Sequence, residues 1–296
     1  MAWQGLHLSQ KAHLSLADGQ LVVALEGNTV RRPLEDLAWI ILDTPMVTLT
    51  SALLSACMNA GIAMLVTDQR HIPSGMLLPF HTHFRQAGVG QSQLSASTPL
   101  KKRLWQMITE RKILNQASAL KIVGGIEAAT LAEMARHVGS GDPGNVEARA
   151  ARYYWERFFI NFRREDESDR RNACLNYGYA VVRGAVARAL VAVGLLPSIG
   201  VMHSGVTNAF NLADDLMEPF RPFVDIMAHR LNNAMSEHTD PLTLDDRRAL
   251  AGACLVDVKM GDEHVTLLVA TEKTATSLVA AFENNSAHML VLPELI

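Results

Sequence analysis

The chain has 296 residues, 49% hydrophobic and 19% charged, and its 27 Lys and Arg against 30 Asp and Glu give a net charge of −3. At roughly 100 to 200 residues per domain this predicts a folded protein of two domains and excludes a disordered chain. A mildly acidic total also argues against a nucleic-acid partner, because phosphate contacts need Lys and Arg.

The first 70 residues read as strands. Leu14 and Leu16 alternate, Asp18-Gly19 supplies a hairpin turn, and Leu21, Val23 and Leu25 alternate again before a turn at Gly27-Asn28. The apolar run Ala38 to Leu42 predicts a fully buried strand. Thr50 to Ala60 has helical character with Gly61 as its stop, and Ile62 to Val66 resumes as a strand. From Pro79 helical periodicity takes over, in Leu100 to Leu114, Gly125 to His137, Val146 to Phe162, Asn172 to Val193, Ala209 to Asn233, Leu244 to Val258 and Thr271 to Ala287. The fold class expected is therefore α+β, with a small N-terminal β-rich domain (1–78) and a larger all-α domain (79–296).

Cys57, Cys174 and Cys254 are odd in number and widely spaced, so neither a disulfide framework nor a zinc knuckle is expected. The start, Met1-Ala2-Trp3-Gln4-Gly5, lacks the basic and apolar segments of a signal peptide, and a cytoplasmic location is expected. Thr44 to Thr67 and Ala189 to Ala213 lack charges but are interrupted by polar residues, Gly and Pro, which predicts buried core rather than membrane.

Charge is unevenly distributed. Residues 81–123 carry seven basic side chains against Glu110, or +6; residues 147–188 carry nine arginines against six acids, or +3; residues 214–263 carry eleven acids against five basic residues, or −6. Such runs are often solvated helix faces. They also fit a phosphate-binding surface beside an acidic metal-binding region, and arginine's planar fork suits phosphate.

Three segments could carry chemistry. In Gly144-Asn145-Val146-Glu147-Ala148-Arg149 a carboxylate sits in the first turn of a helix, where capping alone could explain it. Gly200-Val201-Met202-His203-Ser204-Gly205 holds a histidine between glycines, a place where core or capping histidines also occur. In Asp214-Asp215-Leu216-Met217-Glu218-Pro219 the i, i+3 spacing puts Asp215 and Glu218 on one helix face, where two carboxylates call for a cation or remain surface acids. One imidazole with two or three carboxylates is a ligand set compatible with Mg²⁺ or Mn²⁺, and acids beside arginines suggest metal-assisted phosphoryl transfer.

At these residues the sequence resembles the CRISPR-associated spacer-acquisition integrase, the first-numbered core Cas protein, and most of all its type II branch, subtype II-C. The likeness is carried by Ser140 to Trp155, by Asn172 through Tyr177-Gly178-Tyr179 to Leu190, and by Gly200 to Pro222, with Pro33 to Leu42 and Pro99 to Met107 also fitting. The resemblance implies a metal-dependent DNA endonuclease and integrase with Glu147, His203 and Glu218 as catalytic metal ligands and Asp215 as an accessory one. Which of Asp214, Asp215 and Glu218 ligate varies across the family. It further implies a homodimer, joined to a small bridging dimer of the second core Cas protein in a heterohexamer that acts on double-stranded DNA, the incoming spacer and the CRISPR repeat. In type II systems the effector nuclease also takes part in selecting spacers.

Arg85, Lys101, Lys102, Arg103, Arg149, Arg152, Arg183, Arg188 and Arg221 are candidate phosphate contacts, and His81 and His83 candidate contacts to DNA ends. Tyr177 and Tyr179 either stack or, the better expectation, pack in the core. Two other readings are a non-catalytic DNA-binding scaffold and an isoprenoid synthase with an aspartate-rich magnesium motif; the β-rich start and the lack of a second acidic motif count against the synthase.

Overall fold

A computed structural model of the protein describes residues 3–80, 83–124, 128–233 and 242–296. The chain begins with strands β1 (Gln4–Leu8), β2 (Ala12–Ala17), β3 (Gln20–Leu25), β4 (Asn28–Pro33), β5 (Leu37–Leu42) and β6 (Val47–Leu49), then helix α1 (Ser51–Asn59) and strands β7 (Ala63–Thr67) and β8 (Pro73–Leu77). One sheet has the order β4-β3-β2-β6 and the other β1-β5-β7-β8. The first is built from tight hairpins. Ala17 pairs with Gln20 across Asp18-Gly19, both with positive φ, the geometry that a two-residue turn between right-twisted strands requires.

β5 accounts for its unbroken apolar sequence by serving two cores. Leu37, Ile40 and Leu42 join Leu14, Leu21, Val23 and Met64 between the sheets. Ala38, Trp39 and Ile41 face the helices instead, packing in the same cluster as Val181, Val182 and Ala185. A register shift opposite Gln4 and Gly5 leaves Ala38 as an extra residue and resets the alternation. Trp39 then lies so flat over Gly5 that any Cβ there would fall 2.0 Å from the indole.

The remainder is mostly helical: α2 (Gln86–Leu94), α3 (Thr98–Ile122), α4 (Ala128–Arg136), α5 (Val146–Phe158), α6 (Arg170–Ala192), α7 (Asn211–Met217), α8 (Arg221–Asn233) and α9 (Leu244–Ala251), then a hairpin of β9 (Asp257–Met260) and β10 (Glu263–Thr266), and α10 (Leu267–Glu283). α6 is the axle, packing against α7, α8, α9, α10 and β7. At Gly178 it approaches α8 so closely that a Cβ would stand 2.5 Å from Val224.

The expected α+β order is present, with three departures. The helix expected over Ala209 to Asn233 is broken by a 3-10 turn at Glu218–Phe220, because Pro219 has no N–H to continue α7. The helix expected over Leu244 to Val258 ends at Ala251, and the β9–β10 hairpin, turning at Gly261 with φ +62°, makes the helical region not wholly α. β1, β6, β8 and α2 are additions. The uncharged stretch 44–67 is β6, α1 and β7, and among the described residues no helix is long and apolar enough to cross a membrane.

Candidate active site

Glu147 enters the site from the first turn of α5. Asp142, not Glu147, caps that helix: its two carboxylate oxygens accept from the backbone N–H of Val146 and Glu147, each at 2.9 Å. Released from capping, Glu147 reaches Lys112 of α3, whose Nζ lies 2.6 Å from Glu147 Oε1.

Glu218 is carried by the turn that Pro219 forces on the chain, and it is buried. Its Oε1 accepts from Arg221 Nε at 2.8 Å, and its Oε2 lies 2.5 Å from Lys112 Nζ. Oε2 is thus a buried oxygen whose close partner is the Lys112 ammonium. Burial would raise the Glu218 pKa, but Arg221 and Lys112 outweigh it and hold the carboxyl down at about 2. Burial likewise works against a charged Lys112, yet Glu218 and Glu147 together push its pKa above the ordinary value.

His203 stands on the loop between α6 and α7, and that loop is folded around one carboxylate. Asp215 Oδ2 accepts from the backbone N–H of Val201 at 2.6 Å and of Met202 at 3.0 Å, while Oδ1 accepts from the N–H of His203 at 3.1 Å and bonds to His203 Nδ1 at 2.6 Å. Four bonds fill the roughly four acceptor positions of a carboxylate. The expectation of Asp215 as an accessory metal ligand is corrected accordingly: fully buried and saturated, it holds the imidazole and leaves Nε2 to face outward. Its hydrogen bond is the main reason that the His203 pKa is raised, against the opposing effect of burial. Trp105 of α3 meets the ring edge-on at 5.6 Å between centroids.

Asn211 closes the same loop from the other side, donating to the carbonyls of Ser198 and Gly205 and accepting from the N–H of Gly205. Gly200 allows the tight turn, since a Cβ there would lie 2.2 Å from the His203 carbonyl and 2.8 Å from Asp215 Oδ2. Gly200→Ala is therefore expected to displace His203 and lower catalytic activity by roughly tenfold or more without removing a functional atom. Unchanged activity, measured on a variant with the wild-type melting temperature, would mean that the loop gives way elsewhere.

His203 and Glu218 share the wall of one open cavity with Arg164, Arg183, Tyr179 and Arg221. A second, contiguous one is lined by Lys112, Glu218, Arg221 and Asp225. His203 and Glu218 thus meet at one cavity, and Glu147 is joined to Glu218 through Lys112. The set as it stands is not a closed coordination shell: among the described residues no group of three or more His, Cys, Asp or Glu side chains could hold a metal ion. The Lys112 ammonium stands between the two carboxylates, 2.6 Å from Glu147 Oε1 and 2.5 Å from Glu218 Oε2. The donors nevertheless fit a divalent cation in kind: two carboxylates already drawn to one cationic group, and an imidazole oriented by a third carboxylate, Asp215.

Behind this wall Asp225 accepts from the Tyr154 hydroxyl at 2.9 Å and from the Tyr179 hydroxyl. Burial raises its pKa to about 7 against those hydrogen bonds. The Tyr179 ring in turn supports Arg221 from 4.6 Å. Both tyrosines singled out in the sequence are buried, and the Tyr177 hydroxyl lies 3.3 Å from His7 Nε2 rather than facing the cavity.

The basic candidates divide. Arg183 lines the cavity while held by Asp214 and Asn208, and Arg221 is held by Glu218. Lys102, Arg103, Arg149 and Arg152 are exposed and Lys101 half-buried on the packed pair α3 and α5. Arg85 is paired with Glu283 at 2.8 Å. Arg188 is a correction: mostly buried, it donates from Nε to the Gly61 carbonyl and pairs with Glu272, tying α6 to the loop before β7 and to α10, a structural role rather than a phosphate-facing one. His83 packs against Gly194 at the end of α6, and His81 lies outside the described residues.

Sequence reasoning missed two members. Lys112 was counted only within a basic block, although it continues the buried stripe Leu104, Ile108 at four-residue spacing, where a lysine needs a partner. Arg164, held by Asn172 and Asn176, follows α5 in an Arg-rich run and carried no signal of its own.

Comparison with known proteins identifies the family of the chain. A family model described as "CRISPR associated protein Cas1" matches residues 6–245. The chain is 37% identical over 297 aligned positions to the "CRISPR-associated endonuclease Cas1" of Neisseria meningitidis serogroup C (strain 8013), an alignment covering 100% of this chain and 97% of the relative. Among solved structures, a casposase bound to integration product superposes with a TM-score of 0.78 at 17% identity, covering 97% of this chain and 92% of that one. A Cas6-RT-Cas1–Cas2 complex gives 0.75 at 18% identity, covering 97% of this chain and 36% of that one.

Proposed function

Because the chain belongs to the Cas1 family of CRISPR-associated endonucleases and integrases, we propose that it inserts spacer DNA into a CRISPR array with a divalent metal ion, Mg²⁺ or Mn²⁺, at Glu147, His203 and Glu218. The observation that carries this reading is that His203 and Glu218, from separate segments, line one arginine-lined cavity, with Glu147 tied to Glu218 through Lys112. When bound, the cation supplies Lewis-acid activation of a hydroxyl nucleophile and neutralises charge on the phosphate oxygens.

The chain's own residues do the rest. Asp215 fixes the His203 ring by its Nδ1 and so presents Nε2. Arg164, Arg183 and Arg221, held in place by Asn176, Asp214 and Glu218, offer guanidinium edges to a phosphodiester entering the cavity. A 3′ hydroxyl of the incoming DNA attacks the phosphorus, the new P–O bond forms as the opposite 3′ oxygen departs, and the hydroxyl proton is passed to the leaving oxygen through solvent. Water in place of the hydroxyl gives hydrolysis instead. Exposed Lys102, Arg103, Arg149 and Arg152 would track the flanking duplex.

In this reading the β-rich part (1–78) serves assembly and the helical part (79–296) carries the reaction, in the cytoplasm, as a homodimer with the second core Cas protein. Support for that partner comes from the likeness to the Cas6-RT-Cas1–Cas2 complex. The full-length match to the Neisseria protein supports a type II, II-C, assignment and with it participation of the effector nuclease in spacer selection. Purified protein mixed with the bridging partner and Mn²⁺ or Mg²⁺ should join short duplexes to a repeat-containing plasmid. No joining with either metal, or joining undiminished by a chelator, would remove the reading.

A further inference from the structure

Lys112 is the least expected group in the site. It is 8% exposed, and its ammonium bridges Glu147 Oε1 at 2.6 Å and Glu218 Oε2 at 2.5 Å, on carboxylates brought from α5 and from the turn after α7. An ammonium is a compact point charge with three donors, and between two carboxylates it does with one charge what a divalent ion does with two. Arg221 neutralises the far side of Glu218. Two carboxylates and two cations make the cluster neutral as it stands. A dication added without other change would leave it at +2 around the buried Lys112 and Glu218, which is costly. Either an anion must arrive with the metal or the lysine must leave.

We propose that Lys112 is a built-in competitor for the catalytic cation. It occupies the cation's position in the DNA-free protein, so that metal binding is an exchange of Lys112 for the ion and is favoured by the arrival of a phosphate. This proposal rests on the metal reading of Glu147, His203 and Glu218. Its consequence is that metal and DNA bind together more readily than either does alone, which holds hydrolytic activity low until a substrate is seated. Lys112 is a positioning residue here: it acts on the carboxylates and does not touch the reacting atoms.

The test uses the purified full-length chain without DNA, titrated with Mn²⁺ alone, free Mn²⁺ being read by electron paramagnetic resonance. Lys112→Met and Lys112→Gln should each bind Mn²⁺ at least about tenfold more tightly than wild type, whereas Lys112→Arg, which keeps the charge, should stay weak. Metal-free Lys112→Met should melt at a lower temperature than wild type, and Mn²⁺ should raise its midpoint by more than it raises that of the wild-type protein. If the neutral variants prove unfolded without metal, Mn²⁺ should fold them, as followed by circular dichroism; failure to do so overturns the proposal. Equal or weaker Mn²⁺ affinity in the neutral variants, with binding still abolished by Glu218→Gln, overturns it and leaves the metal site standing. Binding indifferent to Glu218→Gln in every background removes the metal site, and this proposal with it.

Discussion

His203→Ala is expected to reduce strand joining on the order of a hundredfold or more while shifting stability by no more than about 1 kcal/mol. The separation follows from how the ring is held. The His203 side chain is half-exposed, and its loss costs Asp215 one of four hydrogen bonds while the three backbone donors that fold the loop remain. Asp215→Ala should behave in the opposite way, lowering stability as well as activity, because it strands those three N–H groups.

The raised His203 pKa adds a pH dependence. A metal needs the neutral imidazole, so Mn²⁺ affinity should fall with decreasing pH from a point above the ordinary imidazole value of about 6.5, and His203→Ala should flatten the curve. Stability runs the other way: the contribution of the protonated His203–Asp215 pair is complete below the unfolded pKa and is lost as pH rises through the folded one. Wild-type joining by a folded His203→Ala protein would take His203 out of the active site.

Asp43→Ala, away from the candidate site, is expected to destabilise the protein by about 3 to 5 kcal/mol. Asp43 follows β5 and is fully buried. Its Oδ2 accepts from Arg247 Nε of α9 at 2.7 Å and bonds to His7 Nε2 of β1 at 2.9 Å, and its Oδ1 bonds to His71 Nδ1 at 3.0 Å. Burial alone would raise the Asp43 pKa, but the hydrogen bonds from His7 and Arg247 and the Arg247 charge bring it below the ordinary carboxyl value. Its contribution is therefore present above about pH 3.8 and lost as pH falls through the lowered folded pKa. Among the described residues, alanine leaves the largely buried Arg247 guanidinium with the Leu242 carbonyl as its one hydrogen-bond partner. Urea denaturation of Asp43→Ala, Arg247→Met and the double variant provides the check. The double variant should lose less than the sum of the two single losses; strict additivity would mean that the pair does not interact.

Much of this was readable from residue order. The alternation from Leu14 to Leu25 and the Asp18-Gly19 turn specify local pairings, and Gly61 stops α1 with a φ of +71°. Glu147, His203 and Glu218 were legible as chemical types in a family pattern. Their arrangement was not, because periodicity places a residue on a face and does not say what another element brings against it. Lys112 and Arg188 make the point in opposite directions. Both belong to basic runs that read as phosphate-binding surface, and both are turned inward by long helices to satisfy acids from elsewhere in the chain, Glu147 and Glu218 in one case and Glu272 in the other. The hairpin at Lys259 to Glu263 was hidden because four-residue strands are too short to set a period against the helical pattern that flanks them.

β5 carries one more consequence. A strand with one face in the sandwich and the other under α6 leaves no hinge between the β-rich and helical parts: to swing them apart, Ala38, Trp39 and Ile41 would have to be wetted, and the Asp43–Arg247 pair broken. Neither part is then a natural fragment, since cutting near residue 78 would bare an apolar sheet on one piece and an apolar helix on the other. In the proposed reaction, bending of the duplex would then have to be absorbed by the DNA, with the body of the protein acting as an anvil.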